Sequence, residues 1–194
     1  MGKFINLAPH LHHEGKPQSQ IMKKILIPML LLLPCFLFAQ QEAAGKKLPS
    51  VDVKDLDGKT VNTATLNNEG SPMIISFWAL WCKPCIQELT TIADVYADWQ
   101  AETGVKLVAV SIDDSRSSSR VGPTVNGKGW EYEVLLDQNG DFKRAMNVNM
   151  IPHTFLVNAK GEIVWQHTSF SEGSELQLIE LVRKLKRGED ISGH

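Results

Sequence analysis

The spacing of hydrophobic positions changes at Cys85. Before it, residues 73–79, MIISFWA, form a continuous apolar run suited to a strand covered on both faces. After it, Ile86, Leu89, Ala93, Tyr96 and Trp99 or Gln100 fall on one helical stripe, which predicts a helix ending near Gly104. VKLVAVSID, residues 105–113, reads as a second buried strand. Upstream, Val51 and Val53 alternate with charge, Asp57-Gly58 marks a turn and Val61 resumes the pattern, so a β-hairpin is expected at the start of the domain.

Downstream, DSRSSSRVGPTVNGKG is polar and predicts a frayed helix or a loop, in which Arg116 and Arg120 are either substrate-steering cations or solvated surface. YEVLLD reads as a strand, GDFKRAMNV as a short helix, and HTFLVNAKGEIVWQH as a hairpin turning at Ala159 to Gly161. A last helix runs from about Glu175 to Arg187. Ser174 with Gln177 can cap its start, and Arg183, Lys184, Lys186 and Arg187 bring positive charge to its end. Strands alternating with helices, then a closing hairpin, predict an α/β domain with a mixed central sheet and helices on both faces. No internal repeat is present.

The chain has 194 residues, of which 43% are apolar, enough for one packed domain. Residues 22–39 carry a different pattern. Lys23-Lys24, an apolar stretch from Ile25 to Phe38, and the small Ala39 follow the order of a secretory signal peptide. The stretch is short of the roughly 18–20 residues of a membrane span and contains Pro28 and Pro34. Cleavage after Ala39 is therefore expected, with a retained anchor as the alternative. Lipidation at Cys35 is disfavoured by Pro34, which stands where a lipoprotein signal has a small residue. Residues 1–21, including HLHHEG, read as an upstream extension; residues 40–47 as a linker; 48–188 as the domain; and 189–194 as a tail.

Without residues 1–39 the chain keeps 16 Lys+Arg against 21 Asp+Glu, a net charge of −5. That acidity gives no electrostatic footprint for nucleic acid. Cys82 and Cys85 are then the only cysteines left, and an exported compartment lets a disulfide between them persist. A redox cysteine needs an environment that stabilises its thiolate. Cys82 falls where strand gives way to helix, at the positive end of the helix dipole, which should lower its pKa from about 8.5 toward about 7. Cys85 lies one turn on and faces the same side. Pro84 is tolerated because first-turn N–H groups have no helical partner. Zinc is disfavoured, since His153, His167 and His194 do not pair in ligand spacing with the two thiols. A purely structural bridge would close a very short loop and stabilise little.

FWALWCKPC, followed about 70 residues later by MIPHTFLVNAKGEIV, resembles the thioredoxin fold, and within it the exported TlpA/ResA-like thiol:disulfide oxidoreductases. The resemblance spans roughly residues 46–188. It implies a thioredoxin fold with an N-terminal hairpin extension, no cofactor, and exchange of protein disulfides in the periplasm or cell envelope. Cys82 would attack, Cys85 would resolve the mixed disulfide, and Pro152 would be a cis-proline freeing the Ile151 backbone to pair with a substrate strand. Glu88 matches the acidic residue that many of these proteins place three positions after the second cysteine; if partly buried it could exchange protons as the disulfide opens, and its alternative is a solvated helix carboxylate. Trp81 would shield the sulfurs and help dock substrate, or pack on the sheet. The resemblance leans toward reduction, for instance of apocytochrome cysteines, with an upstream membrane or periplasmic dithiol donor. Membrane contact is expected only if the leader is retained.

The chain departs from the pattern at two positions. Ser76 stands where thioredoxins have a buried aspartate, and His153 stands where threonine often follows the cis-proline. His153 is either a group tuning the thiolate or a partly exposed strand residue. Two other functions remain. A thiol peroxidase would have Thr or Ser three residues before its cysteine and proline seven before, where this chain has Ala79 and Ile75. A copper-binding assembly factor would use both thiols, with His153 as a further ligand.

Overall fold

The computed structural model describes residues 45–191; the upstream extension, the leader with Cys35, and residues 192–194 lie outside them. In chain order the strands are β1 (Lys46–Lys47), β2 (Asp52–Asp55), β3 (Thr60–Asn62), β4 (Met73–Trp78), β5 (Lys106–Ser111), β6 (Glu133–Leu136), β7 (His153–Val157) and β8 (Glu162–Thr168). The helices are α1 (Lys83–Ala93), α2 (Tyr96–Thr103), α3 (Val121–Gly127), α4 (Asp141–Ala145) and α5 (Ser174–Lys186). Among the described residues the strands form one sheet in the order β1-β8-β7-β4-β5-β6-β2-β3. β4, β5 and β6 run parallel, while every other neighbouring pair is antiparallel.

The unbroken apolar run of β4 is explained by cover on both faces, because all six of its residues are buried. Ile74 and Trp78 point into one core with Leu89 and Ile92 of α1, Trp99 of α2, Val121 and Val125 of α3, and Leu178 and Val182 of α5. Met73, Ile75 and Phe77 point into the other, with Val53 of β2, Phe142 of α4 and Phe155 of β7. The predicted hairpin forms as β2–β3, pairing Val53 with Val61.

Four expectations are corrected. The stripe read as one helix to Gly104 is two, since α1 ends at Ala93 and Val95 leaves helical geometry. That turn aims Tyr96 into the core, where its hydroxyl accepts from the Leu107 N–H (3.0 Å) at the start of β5. The linker is a strand at its end, since Lys46 and Lys47 pair with Ile163 and Glu162. The tail is anchored by Ile191, buried in the first core. Ser174 does not cap α5: Gly173 precedes the helix in the left-handed region, and the Ser174 hydroxyl turns back to the Ser171 carbonyl.

Candidate active site

Strand β4 ends at Trp78, and the chain turns through Ala79–Trp81 into α1. Buried Asp113, just past β5, fixes this turn by accepting from the Leu80 N–H (2.9 Å) and the Ser111 hydroxyl (2.9 Å). Cys82 is the N-cap of α1, and the Cys85 N–H donates to its Sγ (3.3 Å). A sulfur at a helix N-cap meets the positive end of the dipole and unpaired N–H groups, which favours its anionic form. Lys83 and Pro84 form the exposed first turn.

Cys82 and Cys85 are joined in a disulfide, their Cα atoms 5.3 Å apart. Cys82 retains 5% exposure and Cys85 none, so an incoming sulfur meets Cys82 first. Trp81 is 70% exposed, which removes packing on the sheet as its role. Its ring instead lines an open depression with Ile112, Asp114, Arg116, Ser117 and Arg120. Arg116 in that depression is paired with Asp114 (2.7 Å).

Glu88, three residues beyond Cys85, is buried rather than solvated. Its carboxylate accepts from the Thr154 hydroxyl (2.9 Å, Oε1) and the Ser76 hydroxyl (3.4 Å, Oε2). Burial pushes its pKa up from 4.5 to about 7, outweighing those two hydrogen bonds, which favour the anion. Ser76 thus acquires a reason to be small: the carboxylate reaches the sheet from helix α1, and a larger residue on β4 would occupy the space it needs. Nearby, the buried Tyr132 hydroxyl donates to the Leu89 carbonyl (3.2 Å). Its own pKa is raised by burial and then by the charge of Glu88.

The Ile151–Pro152 peptide is cis, and next to it Met150 is 62% exposed. His153 is buried, against the expectation of a partly exposed residue. It lies on the opposite face of the sheet from Thr154, stacked on Phe155 (4.4 Å between centroids) and within 3.3 Å of Gln166. Burial, and less strongly the charge of His167, lower its pKa against the hydrogen bond that the ring donates to the Gln166 side-chain oxygen. This placement separates His153 from the cysteines, which belong to the other core, and no cluster of three metal-ligating side chains occurs among the described residues. Sequence reasoning missed Asp113 and the part played by Thr154. The polar pair Ser111-Asp113 at the end of a buried strand was the only available signal for the first.

The AhpC/TSA family matches residues 44–166, a stretch holding the disulfide, Glu88 and Pro152. The chain belongs to this family. Thiol-disulfide oxidoreductase ResA of Bacillus subtilis (strain 168) is 30% identical over 146 residues, 70% of this chain and 79% of that protein. Among solved structures, an uncharacterized thioredoxin-like protein from Porphyromonas gingivalis superposes with a TM-score of 0.66 at 56% identity, covering 76% of this chain and 94% of that one. A putative thiol:disulfide interchange protein DsbE from Chlorobium tepidum gives 0.63 at 25% identity, covering 74% and 97%. The fold is thioredoxin-like, and the protein is a thiol-disulfide oxidoreductase of this AhpC/TSA group.

Proposed function

We propose that the protein is exported and reduces disulfides of other polypeptides in the periplasm or cell envelope, with the cysteines of apocytochrome c or general envelope redox balance as its field of action. The observation carrying this reading is the unequal pair at the tip of α1: an accessible Cys82 at the N-cap and a sealed Cys85 one turn deeper, with the buried Glu88 a further turn along. Export rests on the leader-like residues 22–39.

The Cys82 thiolate attacks one sulfur of the substrate disulfide, and the other sulfur leaves with the bonding electron pair. Glu88 takes the proton of the Cys85 thiol, and the Cys85 thiolate attacks Cys82 Sγ, releasing the second substrate sulfur. The substrate gains two electrons and two protons overall, and the enzyme leaves as the Cys82–Cys85 disulfide. An upstream dithiol donor, membrane-bound or periplasmic, reverses the sequence. Trp81 and Met150, both exposed, supply apolar contact for a polypeptide, and the Ile151 backbone beside the cis-proline pairs with its extended chain.

Trapping tests the order of attack. Cys85→Ser expressed with its leader should accumulate mixed disulfides through Cys82, visible as reducible high-mass species, whereas Cys82→Ser should accumulate none. Equal trapping by both variants, or by Cys82→Ser alone, would overturn the assignment.

A further inference from the structure

On the face of the sheet that carries α1 and α5, two neighbouring cross-strand rows differ in kind. Ile74 on β4, Leu156 on β7 and Trp165 on β8 form an apolar row. Beside it, Ser76 faces Thr154, and Thr154 faces His167, so three polar residues cross the same three strands. The row begins beneath the Glu88 carboxylate, which both Ser76 and Thr154 contact, and ends at exposed His167. Directly opposed residues on one face have Cβ atoms about 4.5–5.5 Å apart, so the span is short. A crevice follows it, lined by Glu88, Thr154, His167 and, from α5, Glu175 and Leu178, with about 10 Å³ of room. That is about the space of one water molecule. The His167 ring is held flat against Trp165, 5.7 Å between centroids and 10° between planes.

This arrangement meets a need of the mechanism. Glu88 must be a carboxylate to take the Cys85 proton, yet it is sealed between sheet and helices, where burial keeps it neutral to about pH 7, so it must shed a proton before the bond can close and again before the next cycle. We propose that His167 is the outer station of this transfer: the Glu88 proton passes along the polar row, through one crevice water, to the His167 imidazole and then to solvent, and returns the same way when the enzyme is recharged. Imidazole is the side chain suited to such a role near neutral pH. His167 acts through Glu88 and touches neither sulfur, so it is a positioning residue for the proton. The titratable groups on this face of the sheet are Glu88 from α1, Glu175 from α5 and Tyr132 from the segment before β6, while His153 of β7 lies on the opposite face and is coupled to His167 only by charge.

The inference rests on Glu88 as proton acceptor, and the test separates the two. Reduced full-length protein is mixed with oxidised glutathione in weak buffer, and closure of the Cys82–Cys85 bond is followed across about pH 5 to 8. His167→Ala should slow closure roughly tenfold, less than the full contribution of a group acting at the reacting atom. Added imidazole should restore the rate. His167→Gln, which keeps size and polarity but carries no proton, should also be slow, Glu175→Gln should stay near the parent rate, and His167→Ala should add nothing in a Glu88→Gln background. Glu88→Gln slow with both His167 variants at the parent rate would overturn the relay alone, as would slowing that imidazole does not relieve or loss of rate in Glu175→Gln. Glu88→Gln at the parent rate would remove the proton acceptor and the relay together.

Discussion

Glu88 is the residue at which burial and chemistry pull hardest against each other. Its carboxyl is held neutral to about pH 7 by desolvation, against 4.5 in water. Because the folded-state value is the higher one, the neutral carboxyl contributes its full stability below about pH 4.5 and loses it as pH rises to about 7. The loss amounts to about 3 kcal/mol, on the scale of 1.4 kcal/mol per tenfold change in proton affinity. Glu88→Gln, whose amide can still meet Thr154 and Ser76, should flatten this decline in the oxidised protein. Denaturation at pH 5 and pH 8 checks it: the variant should match its parent at the lower pH and exceed it at the higher. Parallel pH curves would show that the carboxyl is solvated after all. The resemblance to TlpA/ResA-like proteins identified Glu88 in the sequence, but its burial was not legible there. That burial depends on Ser76 and Thr154, brought beneath it by strand pairings 78 residues apart. His153 failed for the same reason, because the alternation of β7 decides its face and one sequence does not reveal the register.

Elements whose identity depends on local pattern were legible, and those set by distant partners were not. Strands β4 and β5 are unbroken apolar runs because both their faces are covered, and the two hairpins announce themselves through Asp57-Gly58 and Lys160-Gly161. The separation of α1 from α2 has no such signal, since the helical stripe continues through Val95 while the Tyr96 hydroxyl is drawn to the Leu107 N–H. Strand β1 exists through its pairing with β8 rather than through any β pattern in Lys46-Lys47. At the far end of α2 sequence and structure agree on Gly104, which closes the helix at φ 71° with its N–H on the Gln100 carbonyl. A Cβ there would stand 3.1 Å from the Ser71 hydroxyl oxygen. Gly104→Ala should therefore destabilise the protein by about 1–2 kcal/mol, the cost of left-handed backbone in a residue with a side chain. The expected result is a lower thermal midpoint with disulfide exchange unchanged at a temperature where both proteins are folded. An unchanged midpoint would mean that the helix end shifts freely.

For the molecule as a whole, the direction of electron flow is a question of which redox form folds more stably. The potential of the folded pair differs from that of the same cysteines in the unfolded chain by the difference in stability between the two forms. Closing a loop between cysteines three positions apart restricts the unfolded chain modestly, which favours the oxidised form by about 2 kcal/mol. The N-cap position of Cys82 works the other way, because it stabilises the thiolate that exists only after reduction. Glu88 tips the balance back: both cysteines and the carboxyl belong to one side of the sheet, and above about pH 7 a thiolate there must share that side with a second buried negative charge. The oxidised protein should then be the more stable form at pH 7, by about 2 kcal/mol or some 40 mV toward the reducing side, with the margin widening at higher pH. Denaturant titrations of both forms, run beside equilibration with glutathione, measure the two sides of this cycle independently. A reduced form more stable than the oxidised one would make the protein an oxidant and reverse the direction proposed above, while leaving the assignment of Cys82 as the attacking sulfur untouched.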